Sequence, residues 1–110
     1  MAADYTPNQV KAQLLQGDVQ LLDVRQQHEY DAGRISGAKL IPLSELAAGA
    51  QELDKERPVI VYCRSGGRSA MAATALEQAG FEVHNMTGGL LAWSENGLEL
   101  EPEGGEVAEP

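Results

Sequence analysis

The chain has one cysteine, one tryptophan and one phenylalanine among its 110 residues. A single thiol excludes an internal disulfide and any zinc site built from several cysteines. Basic residues are scarce: 8 Lys and Arg stand against 17 Asp and Glu, a formal net charge of −9. That deficit argues against nucleic acid as a partner, because phosphate binding needs a basic face that displaces counterions. Long apolar runs are missing as well, and none approaches the roughly 20 residues of a membrane span. The opening MAADYTPNQV lacks the basic and apolar regions of a secretory leader, so the expected compartment is the cytoplasm. No metal or cofactor is expected. What is present is 43% hydrophobic residues, enough for one packed core.

The acidic excess is uneven. Five glutamates and no base fall in Glu99–Pro110, together with two Pro and two Gly. This composition reads as an acidic, flexible, solvated C-terminal tail over 99–110 that follows one folded domain over 1–98. The domain opens on a helix. Thr6-Pro-Asn-Gln9 is a capping box with Pro7 at the first helical position, Tyr5 and Val10 are placed as a hydrophobic staple, and Gly17 supplies the stop. Val19–Val24 and Pro58–Tyr62 are short, β-branched and apolar without strict alternation, as strands covered on both faces are. Lys39–Ile41 and Phe81–Asn85 are weaker strand candidates. Helical segments are expected over Gln26–Asp31, Ser44–Glu52 with Ser44 as N-cap, Ser69–Ala79 and Gly89–Glu95. The alternation predicts an α/β domain with a central, mostly parallel sheet of about five strands, flanked by helices on both faces.

In such sheets ligands bind beyond the carboxyl ends of the strands. Asp23 nearly ends the first long strand, and Cys63 directly follows the second. After Cys63 come Arg64, Ser65, Gly66, Gly67 and Arg68, and then a helix. Main-chain amides in a glycine-containing turn converge as an anion nest, and the helix start adds partial positive charge. The thiolate is the nucleophilic form of cysteine, and lowering an ordinary thiol from about 8.5 to about 7 takes roughly 2 kcal/mol of anion stabilisation. A helix terminus typically supplies only about 0.3–1 kcal/mol. Loop amides and an arginine are therefore expected to share the work. A merely structural strand-end cysteine has no use for a cationic, glycine-rich surround.

Cysteine-dependent phosphatases and arsenate reductases use a comparable strand–loop–helix cradle. In such phosphatases five residues separate the cysteine from its arginine, whereas four separate Cys63 from Arg68. The shorter loop makes a smaller ring of donors, better matched to one sulfur atom than to a phosphoryl group. Around it, Asp23 is expected to orient the loop or to hydrogen-bond to its backbone near Cys63, and Arg25 is positioned to pair with Glu29 across a helical turn. Ser65 and Ser69 are each open to two readings, as donors to substrate oxygens or as turn and N-cap residues, and Ser69 reads better as the helix end. Gly88 and Gly89 allow a close backbone approach to the loop. His28 and His84 are not spaced to form a dyad or a metal site with Cys63, and Trp93 reads as core.

Taken in order, Leu21-Leu-Asp-Val-Arg25, Glu29-Tyr30, Gly33-Arg-Ile-Ser-Gly-Ala38 and Ile41-Pro-Leu-Ser-Glu-Leu46 resemble the amino-terminal signature of the rhodanese-like sulfurtransferases. Gly88-Gly-Leu-Leu-Ala-Trp93 is similar to that family's carboxyl-terminal signature, and Cys63–Arg68 falls at its six-residue active loop. The resemblance runs from about Asp4 to Gly97, with one departure at Arg34, where the family often has His. It implies that Cys63 takes a sulfane sulfur from thiosulfate as a persulfide and yields it to cyanide or a thiol, by covalent catalysis in two half-reactions. Arg64 to Arg68 would hold the persulfide and the donor's sulfonate, with Asp23 and Arg25 in support. A thioredoxin-like or other thiol protein is a further acceptor. The alternative within the same resemblance is a relay module that a donor protein loads.

Overall fold

Two stretches of the chain are apolar on both sides of the backbone, and each becomes a strand covered by helices. In β3 (Val59–Tyr62) all four residues are buried, and in β1 (Gln20–Asp23) three of the four are. Successive side chains of β3 part to opposite faces. Val59 and Val61 join Leu76 and Phe81 in one core, while Ile60 and Tyr62 join Leu90 and Trp93 in the other. An unbroken hydrophobic run is the signature of this double burial.

The computed structural model describes residues 3–110. Its sheet has the order β2-β1-β3-β4 with every pair parallel, β2 being Lys39–Leu40 and β4 Val83–Asn85. It therefore has four strands where about five were expected. Beyond β4, the place of a fifth holds one parallel bridge from Tyr5 to Met86. The helix that starts at Pro7 ends that pairing on the C-terminal side of Tyr5.

Helix α1 (Pro7–Gln16) forms as its capping box requires. The Thr6 hydroxyl accepts from the Gln9 amide at 3.2 Å, Gln9 Oε1 accepts from the Thr6 amide at 2.8 Å, and Gly17 closes the helix at φ 79°. Helix α2 (Gln27–Ala32) follows β1. The single helix expected over Ser44–Glu52 is broken into a 3-10 turn (Leu43–Glu45), one α turn, α3 (Leu46–Gly49), and a second 3-10 turn (Ala50–Glu52). Nothing caps its start with a side chain, and Gly49 is pressed against Ile41, where a Cβ would lie 2.5 Å from Cγ2. Helix α4 (Gly67–Gln78) starts two residues earlier than expected, inside the Cys63 loop, and α5 (Gly89–Glu95) lies where the sequence indicates. Among the described residues no helix is long and apolar enough to cross a membrane.

Residues 99–110, expected as a solvated tail, fold back over the body. The Trp93 indole donates to the Glu99 carbonyl at 2.9 Å, and Arg34 and Glu101 exchange two main-chain hydrogen bonds at 2.8 and 2.7 Å. Farther on, the Glu106 amide donates to the Ala32 carbonyl at 2.9 Å. Leu100 and Val107 pack against the core on the Trp93 side of the sheet. Those two apolar side chains, together with main-chain pairing that any residue type can make, give this acidic segment its seat.

Candidate active site

Alternation along β3 continues one residue past its end, so Cys63 points to the same side as Val59 and Val61, towards α4. The chain then turns at Gly66 (φ 116°), a left-handed conformation that favours glycine, and enters α4. The Gly66 amide donates to Cys63 Sγ at 3.0 Å. From one turn into α4, the Ser69 hydroxyl lies 3.4 Å from the same sulfur and 3.1 Å from the Gly66 carbonyl. It has one proton to give, and an ionised sulfur draws that proton to itself.

Burial works against the thiolate, pushing the Cys63 thiol up. The Ser69 hydroxyl and the main-chain amides of Ser69, Gly66 and Ser65 outweigh it, and the thiol is held below its ordinary value. Cys63 is 1% exposed, yet its neighbouring amides are turned towards the sulfur. Ser65 contributes its amide, and its side chain is exposed. Ser69, read from sequence as a helix-end residue, is fully buried against the thiol. Its signal was its place one helical turn inside the glycine-opened helix.

The opposite side of the loop leans on α5. The amides of Leu90 and Leu91 take the carbonyls of Cys63 and Arg64 at 2.8 and 3.0 Å. Gly89 makes this possible: a Cβ there would lie 2.5 Å from the Arg64 carbonyl oxygen and 2.7 Å from that of Cys63. Loop carbonyls face α5, which leaves loop amides free to face the sulfur.

The two loop arginines are not equivalent. Arg68 makes a bidentate pair with Glu29, 2.8 Å on both arms, and Glu29 is fully buried. For Glu29 burial works upwards, but hydrogen bonds from Arg68 and the Gln26 amide hold its carboxyl below the usual range. Arg68 is raised by the same pair, and secondarily by the nearby Cys63. Arg64 instead points to the C-terminal segment, with Nε donating to the Ala108 carbonyl at 3.2 Å and Nη2 lying 3.4 Å from Glu109 Oε1.

The Arg25–Glu29 pair expected from spacing is replaced by two others. Arg25 precedes α2 instead of lying within it, so the helical-turn geometry does not apply. Its guanidinium takes both Asp23 oxygens, closest at 2.7 Å, and the Gly33 carbonyl at 2.8 Å, all fully buried. Asp23, expected to orient the loop, has its carboxylate on Arg25. The pair ties the end of β1 to the end of α2. His28 donates to the Glu109 carbonyl at 2.9 Å, and His84 stacks on Tyr5 with ring centroids 4.2 Å apart. Neither imidazole is among the hydrogen-bond partners of Cys63. Among the described residues no group of three or more acidic, His or Cys side chains is arranged to hold a metal ion.

The sequence and fold that carry this thiol have counterparts in known proteins. Residues 6–96 match the rhodanese-like domain. A sulfurtransferase of Allochromatium vinosum is 40% identical over 79% of this chain and 83% of its own. The thiosulfate sulfurtransferase GlpE of Coxiella burnetii is 36% identical over 69% of this chain and 72% of its own. A rhodanese-related protein from Thermoplasma volcanium superposes with a TM-score of 0.84 at 28% identity, covering 89% of this chain and 96% of that one. Other curated relatives are longer, this chain spanning between 25% and 60% of their length. With its α/β sheet and amide-ringed Cys63, the chain belongs to the rhodanese-like sulfurtransferase family.

Proposed function

We propose that the protein transfers sulfane sulfur from thiosulfate to a thiol acceptor through a persulfide on Cys63. The Cys63 thiolate attacks the outer sulfur of thiosulfate, a sulfur–sulfur bond forms, and the old one breaks with its electron pair leaving on sulfite. The persulfide anion keeps one negative charge, carried about 2 Å farther out along the new bond. Amides that favour the thiolate are aimed to favour this anion too. An acceptor thiolate, or cyanide in a test tube, then attacks the outer sulfur and Cys63 returns as thiolate. Ping-pong kinetics follow.

One observation carries this reading: the Gly66 amide and the Ser69 hydroxyl both lie within hydrogen-bond reach of Cys63 Sγ. The Arg68–Glu29 pair weighs against phosphoryl chemistry, because the arginine that would cradle a phosphate already has both arms on a buried carboxylate. Arg64 is the loop cation whose partner is exposed, and we assign it to the donor's sulfonate. A reducing compartment such as the cytoplasm keeps the thiol available. A thioredoxin-like dithiol protein fits as acceptor, since one thiol takes the outer sulfur and the second then closes a disulfide, releasing that sulfur as hydrogen sulfide.

Intact mass after treatment with thiosulfate is the direct test. The expected result is a gain of one sulfur atom that cyanide removes and that Cys63→Ser does not acquire. No gain with thiosulfate, but loading from a cysteine desulfurase-type protein donor, would assign the chain to a protein-to-protein relay instead.

A further inference from the structure

The C-terminal segment reaches the loop by a close crossing of main chains. Gly33 and Gly105 stand where it passes the end of α2. A Cβ on Gly33 would overlap the Glu106 carbonyl, and one on Gly105 would lie 2.8 Å from the Pro102 oxygen and 3.1 Å from the Ala32 oxygen. Only two facing glycines let the Glu106 amide reach the Ala32 carbonyl there. Past the crossing Val107 is half-buried against the core, and the chain arrives at Arg64 and His28. Each loop arginine thus has a glutamate, but the two pairs differ in kind. Arg68 is matched with a carboxylate that solvent does not reach, while the Glu109 side chain is 87% exposed at 3.4 Å from Arg64. An exposed, long pair of that sort contributes little and is readily exchanged.

We propose that residues 106–109 are an internal occupant of the anion position on Arg64, the residue that follows Cys63. They hold the Arg64 guanidinium on the Ala108 carbonyl and the Glu109 carboxylate, and an anionic sulfur donor binds by displacing them. The strap is thus a specificity-determining element: it raises the concentration at which a small anionic donor saturates the site and leaves neutral reagents unaffected. The inference rests on the reading of Arg64 as the donor's sulfonate partner. It predicts competition, since strap and donor claim the same guanidinium.

The test compares the full chain with Gly105→Val, which blocks the crossing without changing charge, and with Glu109→Gln, which removes one exposed carboxylate. Cys63 is alkylated with iodoacetate, an anion, and with iodoacetamide, its neutral counterpart, and the ratio of rates is taken. Freeing Arg64 should raise that ratio about two- to fivefold in Gly105→Val, the size of one exposed ion pair. The rise should vanish when Arg64→Ala is added. The half-saturating thiosulfate concentration for persulfide formation should fall by a similar factor. An unchanged ratio in Gly105→Val overturns the proposal; should that chain not fold, Glu109→Gln decides in the same way. If the ratio rises but thiosulfate never loads Cys63, the strap stands and the thiosulfate reading falls.

Discussion

At the scale of single residues, the chemistry rests on how the anionic forms of one sulfur and one carboxylate are favoured against burial. Ser69 is the side chain that works for the Cys63 thiolate. In Ser69→Ala the midpoint of the iodoacetamide rate profile should move to higher pH, and alkylation at neutral pH should slow severalfold. A profile that coincides with the wild type would remove Ser69 from the account. Glu29 sets a second pH dependence. Its folded carboxyl is held below the usual range, so the stability it lends is complete above about pH 4.3 and fades as pH falls towards the lower folded value. Urea unfolding of wild type and Glu29→Gln should accordingly show a stability gap that narrows on acidification through that window. A gap that stays constant from neutral to pH 3 would deny Glu29 its ionised role. Neither task is legible from the local sequence. Glu29 and Arg68 lie 39 positions apart, and no local pattern announces a pair closed only by the packing of α2 against the loop.

At the scale of elements, local signals carried well wherever the deciding contacts are local. The capping box of α1, the glycine stop at Gly17 and the double-sided burial of β1 and β3 are all written in stretches of a few residues. Cys63 as the centre of a turn between strand and helix was legible for the same reason. The third helical segment was not, because its lack of a side-chain cap and the pressure of Ile41 on Gly49 arise from tertiary packing. The strap was hidden more deeply: Leu100 and Val107 are seven residues apart among glutamates, and nothing in that spacing says they share one surface. The contact between α5 and the loop sits between these cases, since the paired glycines were visible and their purpose follows from the Gly89 approach. Gly89→Ala should cost more than about 1 kcal/mol in thermal unfolding, because φ is +61° and the Cβ meets two carbonyls. It should also slow persulfide formation, because the loop must move to admit the methyl group. A stable variant with undiminished loading would show that the loop does not depend on α5.

At the scale of the whole molecule, two cores share one four-stranded sheet, and β3 supplies residues to both. Loss of β3 from the sheet would undo both cores at once. Unfolding should therefore be a single cooperative event. Trp93 fluorescence reports the α1 and α5 side, and the reactivity of Cys63 towards a thiol reagent reports the α4 side. In a urea series the two should change with one midpoint, and midpoints that differ beyond error would mean that the faces come apart separately.

The Tyr5 bridge has a bearing on how copies of this chain treat one another. An open row of amides and carbonyls at a sheet's border invites a foreign strand, the first step towards fibrils. Here the β4 border is stoppered: Tyr5 donates to the Asn85 carbonyl at 3.0 Å and accepts from the Thr87 amide at 2.8 Å, and Pro7 then bends the chain into α1. At the far border β2 offers two residues, too short a ledge for another chain to hold. Sulfur chemistry at the strand tips thus sits on a sheet whose borders give an added strand little to pair with.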